Sequence, residues 1–159
     1  MPKSLVEIKG FAELQQKIKQ LPDKVTKREM LKILGQVATP TVNAAKASVK
    51  DSKRPHIQKR KGQAFGTYIT PGNLKKSIGK IRGKRGLGKQ NAVIYVGARA
   101  GKRQKNDGWY GKFVGSGTIK QTANPFTEIA YNQTKGMVTA DAETKVEKYI
   151  QKQINKLSS

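Results

Sequence analysis

Apolar residues recur along this chain at helical and at strand spacing in turn, and the order of those spacings predicts its elements. Leu5, Val6 and Ile8 ahead of Gly10 predict a short strand. Phe11, Leu14, Ile18 and Leu21 then recur at helical spacing until Pro22. A longer stripe starts at Asp23 and runs through Val25, Met30, Ile33, Leu34, Val37, Ala38, Val42, Ala45 and Val49, as an amphipathic helix requires. Pro22 stands near its start, where a missing N–H costs nothing. Pro40 lies inside the stripe, so the helix is expected to kink or break near Thr39.

Residues 51–69 have no clear period and are rich in cations, glycine and polar residues, which predicts an extended loop or a hairpin with a mobile tip. Thr70-Pro71-Gly72-Asn73 is turn chemistry, and Leu74 to Ile78 fits a single helical turn. Ile78–Arg82 and Asn91–Ala98 read as two strands joined by GKRGLGKQ, a basic hairpin tip at about 82–90. After a cationic turn at 99–107, Trp109, Tyr110, Phe113 and Val114 share an apolar face on a short helix stopped by Gly115 to Thr118. Asn124-Pro125 opens a last long helix, with Phe126, Ile129, Ala130, Met137, Val146, Tyr149, Ile150 and Ile154 as its apolar positions and Gly136 as a weak point. The expected architecture is α+β, one domain over residues 1–159: a small antiparallel sheet packed against long helices from the N-terminal and C-terminal ends.

Charge changes this picture most. Thirty-three Lys and Arg against ten Asp and Glu give a formal net charge of +23. The excess is regional, because residues 51–105 hold sixteen of the cations and one acid, Asp51. Such a field favours nucleic acid or an acidic protein surface as partner, against the plainer reading of solvated loop tips. The candidate contacts are Lys53, Arg54, Lys59, Arg60, Lys61, Arg82, Lys84, Arg85, Lys89, Lys102, Arg103 and Lys105. Only Phe65 and Tyr68 interleave with these cations as aromatics, too few for stacking along a single strand.

Catalytic and metal chemistry finds little material. There is no cysteine, His56 is the sole histidine, and the ten carboxylates are scattered, so no metal site, cofactor or enzymatic activity is expected. Gly83 to Gln90 matches a phosphate-binding loop up to its last position, where Gln90 lacks the hydroxyl that holds magnesium. His56 stands in a cationic stretch whose nearest acid in sequence is Asp51, and Asp141 and Glu143 lie on opposite sides of a helix. No apolar run reaches the roughly 20 residues that span a bilayer, and the first residues lack an apolar signal core, so a soluble protein made in a cytoplasm is expected.

Four segments carry a likeness. The first is Val6-Glu7-Ile8-Lys9-Gly10-Phe11 with the helices that follow it, up to Ala44-Ala45-Lys46. The second is Thr70 to Ile78, similar to a turn of the form T-G-x-L-x-x-S-I through Gly72, Leu74 and Ser77. The third is Tyr110, Phe113 and Val114 with Gly117 and Thr118, similar to a Y-x-x-F-V-E-x-G-T box. The fourth is Pro125-Phe126 with Ala130, similar to P-F-x-x-x-A at the head of a last helix. In this order the segments resemble the tail-completion, or head–tail joining, family of long-tailed phages, the tail-component family of Hong Kong-type lambdoid phages. Gly115 stands where that box carries Glu, and Pro71 is an extra residue before Gly72. The resemblance implies a structural virion protein: a hexameric ring in the neck, between the head connector or stopper proteins and the tail-tube or terminator proteins. Packaged duplex DNA is then a further neighbour. The alternative from charge alone is a basic protein that binds double-stranded nucleic acid.

Overall fold

The long apolar stripe forms two helices, Asp23–Val37 (α1) and Thr39–Ser48 (α2), divided at Ala38. The break falls where the sequence places it. Pro40 sits in the first turn of α2, where its missing N–H costs no hydrogen bond, while the Ala38 carbonyl accepts from Val42 at 3.1 Å. The computed structural model describes residues 23–50, 52–101 and 105–158. The predicted strand at 5–8, the helix at 11–21 and the cations Lys102 and Arg103 lie outside the described residues.

Within the segment expected to be a loop or a hairpin, residues 56–69 form a hairpin. His56–Gln58 (β1) pairs antiparallel with Thr67–Ile69 (β2), with His56 opposite Ile69 and Ile57 opposite Tyr68. The turn at 70–72 leads into Asn73–Ser77 (α3), the expected helical turn, and directly into Ile78–Arg82 (β3). β3 pairs antiparallel with Ile94–Ala98 (β4), from Ile78 opposite Ala98 to Arg82 opposite Ile94. Where one small sheet was expected there are two separate two-stranded ribbons. α3 intervenes between β2 and β3 and redirects the chain, so each ribbon is hydrogen-bonded only within itself. The connection after β3 is also more structured than a hairpin tip, because Leu87–Gln90 (α4) makes a helical turn.

Gly111–Ser116 (α5) ends at Gly117, whose φ of 78° is a conformation that glycine adopts without strain. Phe126–Ser158 (α6) follows, 33 residues without a break at Gly136 and so about 50 Å long. Two linked clusters form the core. Val42 and Ala45 of α2, Ile78 of β3, and Phe126 and Ala130 of α6 make the first; Ile69, Leu74, Tyr110 and Val114 make the second, and Val49 packs against both. The helices of the two chain ends therefore lie together against one face of the β3–β4 ribbon, as expected.

Two apolar assignments fail. Phe113 is 52% exposed and Met137 58% exposed. Helix phase does not explain the second, since Met137 follows Thr134 at three-residue spacing and keeps the face of Phe126, Ala130 and Thr134. Thr134 is buried without penalty, since its hydroxyl donates to the Ala130 carbonyl at 2.8 Å and meets the Thr41 hydroxyl at 2.8 Å.

Candidate functional site

The residues that carry the likeness and the residues that carry the charge occupy different places. Leu74, Ser77, Tyr110, Val114 and Phe126 are all buried. Gly72 takes φ of 79° at the head of α3, and Asn73 behind it donates to the Tyr110 hydroxyl at 3.1 Å and the Asp107 carbonyl at 3.0 Å. Ser77 must lie against a glycine, because a Cβ at position 108 would overlap its hydroxyl. Gly111 likewise lets α5 approach Leu74 and Ala98. Pro125 is half-buried, and Asn124 before it joins α5 to the end of α2, bonding Val114, Lys50 and Ser48. Thr118 is exposed and pairs with Gln121 in a tight turn. These motif residues, Phe113 and Thr118 apart, are core and turn determinants.

The candidate cations separate into three groups. Arg60 is held: its guanidinium bonds both carboxylate oxygens of Asp107 at 3.1 and 2.9 Å and lies 5.1 Å from the centre of the Trp109 ring. Asp107 also accepts from the backbone N–H groups of Gly101 and Trp109, both at 3.2 Å, so this one carboxylate fastens the β1–β2 hairpin to the turn after β4. Lys53, Arg54, Lys59, Lys61, Lys89 and Lys105 are exposed and spread over the hairpin, the β3–β4 connection and the turn after β4.

Arg82, Lys84 and Arg85 form the third group, and the fold adds two cations to them. Together with Lys80 and Arg99 they line an open groove of about 750 Å³ whose floor is Ile81, Gly83, Tyr95 and Ala100. Ribbon register sets the floor of this groove but not its cations, since Lys80 and Arg82 share the face of β3 that carries Ile78, and Lys80 reaches α2. Ile78 and Val96 face the helices, so Gly79, Ile81, Tyr95 and Gly97 face outward. Arg99 crosses the outer face over Gly79, pinned by a 3.1 Å bond from its Nε to the Ser77 carbonyl. Lys80 donates to the Thr39 hydroxyl at 2.7 Å, and Lys27 of α1 braces the connection by donating to the Gly88 and Lys89 carbonyls. No carboxylate lines the groove, and the ion pairs among the described residues, Lys32–Glu29, Arg60–Asp107 and Lys145–Asp141, all lie elsewhere.

Sequence reading missed Lys80, Arg99 and Tyr95. The alternation of Lys80 with Arg82 along β3 was a usable signal; the convergence of Arg99 was not, because it depends on the register of β4. His56 stands edge-on to Tyr110 with ring centres 6.5 Å apart, and its ring nitrogens meet the Arg54 carbonyl and the Gln58 amide. Among the described residues no group of His, Asp or Glu is placed to hold a metal ion, and no helix is long and apolar enough to cross a membrane. Comparison with known proteins finds no matching family model, no matching curated protein and no matching solved structure.

Proposed function

We propose that this chain is a structural virion protein of a tailed bacteriophage, a neck or tail-completion component that joins the head connector to the tail tube as a ring. The observation that carries the reading is the convergence of the resembling segments: residues dispersed from Leu74 to Phe126 lie in two core clusters that Val49 links. Motif residues that specify a shared fold belong in the core, where Leu74, Ser77, Tyr110, Val114 and Phe126 lie, although Phe113 and Thr118 are exposed. A second support is the exposed apolar surface. Ile57, Phe65, Tyr68, Phe113, Ile119, Tyr131 and Met137 are each more than half exposed in the single chain, as suits a subunit whose remaining surface is covered by neighbours. The test is genetic and structural. Particles should carry the chain at the neck by immunogold electron microscopy, and its deletion should leave filled or leaking heads beside free tails. Joined, infectious particles in its absence would overturn the reading.

The basic groove favours a second reading, a protein that binds double-stranded nucleic acid outside any virion. Localisation separates the two: label on the nucleoid or on unpackaged DNA, and none on particles, would select it.

A further inference from the structure

We propose that the groove at the Arg82 end of the β3–β4 ribbon is a track for the phosphodiester backbone of duplex DNA, with Arg82, Lys84 and Arg85 as its principal contacts. The charge is of one sign, since five cations line the groove and no carboxylate does. Arg82, Lys84 and Arg85 are exposed and have no ion-pair partner among the described residues, so their charge is available to a ligand. Three of the five are arginines, whose planar guanidinium matches the oxygens of a phosphate.

An acidic protein would satisfy the same charge, but the composition of the groove argues for DNA. Protein interfaces place apolar residues at the centre and exclude charge from it. Here five of the nine lining residues are cations and none is acidic, the strongly positive make-up of protein–DNA contacts. The exposed apolar residues suited to protein contact lie mostly elsewhere, on the β1–β2 hairpin, α5 and α6. A single strand fits less well, because it needs successive aromatic platforms and Tyr95 is the one aromatic lining the groove. The groove holds no amide or carboxylate side chain for adenine or cytosine edges, and its cations are assigned by the proposal to the phosphates.

The proposal deepens the neck reading, in which packaged duplex runs past the ring, and its test stands apart from that reading. The full-length chain is titrated with a blunt 30-base-pair duplex across a salt series, beside the triple variant Arg82→Gln, Lys84→Gln, Arg85→Gln. A control variant, Lys120→Gln, Lys148→Gln, Lys152→Gln, removes equal charge from exposed positions outside the groove. Each phosphate no longer neutralised makes the log–log salt slope shallower by about 0.9, so the slope of the groove variant is expected to fall by about 2.7 per bound protomer. The control should keep the wild-type slope. Equal reductions in both variants would show delocalised attraction to net charge and overturn the proposal, as would an unchanged slope in a groove variant with wild-type melting. Tighter binding of a single strand, abolished by Tyr95→Ala, would overturn it in favour of stacking. Retained duplex affinity in a groove variant that no longer binds a poly-glutamate peptide would overturn it in favour of an acidic protein. A shallower slope in a chain absent from particles upholds the groove and removes the neck reading; an unchanged slope in a chain found at necks does the reverse.

Discussion

Asp107 shows how much one side chain can organise in a chain short of acids. Its carboxylate receives two bonds from Arg60 and two backbone N–H groups, and its own carbonyl receives Asn73. Removing it leaves several donors unpaired at once, whereas removing Arg60 leaves a carboxylate that keeps its two backbone partners. Asp107→Ala is therefore expected to cost about 1–3 kcal/mol of unfolding free energy, the range for stripping a partner from polar groups held away from water. Arg60→Ala should cost about 1 kcal/mol or less, because the pair is partly exposed, with side-chain exposures of 30% and 24%. Urea denaturation of both variants checks the order. An Arg60 variant that is the less stable of the two would mean that packing on Trp109, and not the carboxylate, holds the hairpin. Nothing local in the sequence marks Asp107, since its partners lie as far as 47 positions away in the chain.

Among the elements, those that obey a period were legible and those that depend on partners were not. The α1–α2 break, the single turn of α3, the glycine end of α5 and the start of α6 all follow from local spacing, proline and glycine. The division into two ribbons was hidden, because pairing partners are set by where α3 sends the chain, not by strand propensity. Burial of Thr134 and exposure of Phe113 were hidden for a related reason: a helix face is chosen by what packs against it. The β1–β2 hairpin joins both lessons. Its inner face carries Ile69, which is buried, and its outer face carries Ile57 and Tyr68, 72% and 64% exposed. Gly66 lies close to Ile57, and residues 61–68 beyond it are all exposed. Backbone N–H groups at 59–66 should then exchange rapidly in the isolated chain and become protected in the assembly, while those of α2 stay slow in both. Protection of the tip in a dilute monomer would count against its being an assembly contact.

The whole molecule combines a core built at the junction of α2, β3 and the head of α6 with a surface that is basic and apolar by turns. On the neck reading proposed above, the protein should be dispensable for heads and for tails and required for their union, because each half would assemble on its own subunits. A closed ring repeats one contact around its axis, so a charge reversal at that contact is multiplied by the number of subunits. The hairpin cations offer a clean probe once Arg60 is set aside, since its reversal would disturb the Asp107 clasp and confuse folding with joining. Lys59 and Lys61 are exposed, and exposed charges contribute little to the stability of a single chain. Lys59→Glu combined with Lys61→Glu, with Arg60 kept, is therefore expected to leave the melting temperature within about 2 °C, the scale of a change below about 0.5 kcal/mol in a domain of this size. Infectivity should fall at least tenfold, with unjoined heads and tails in the lysate. Normal plaque numbers from a normally folded double variant would take the hairpin cations out of the joining contact and leave its apolar face, Ile57 and Tyr68, as the surface to substitute next.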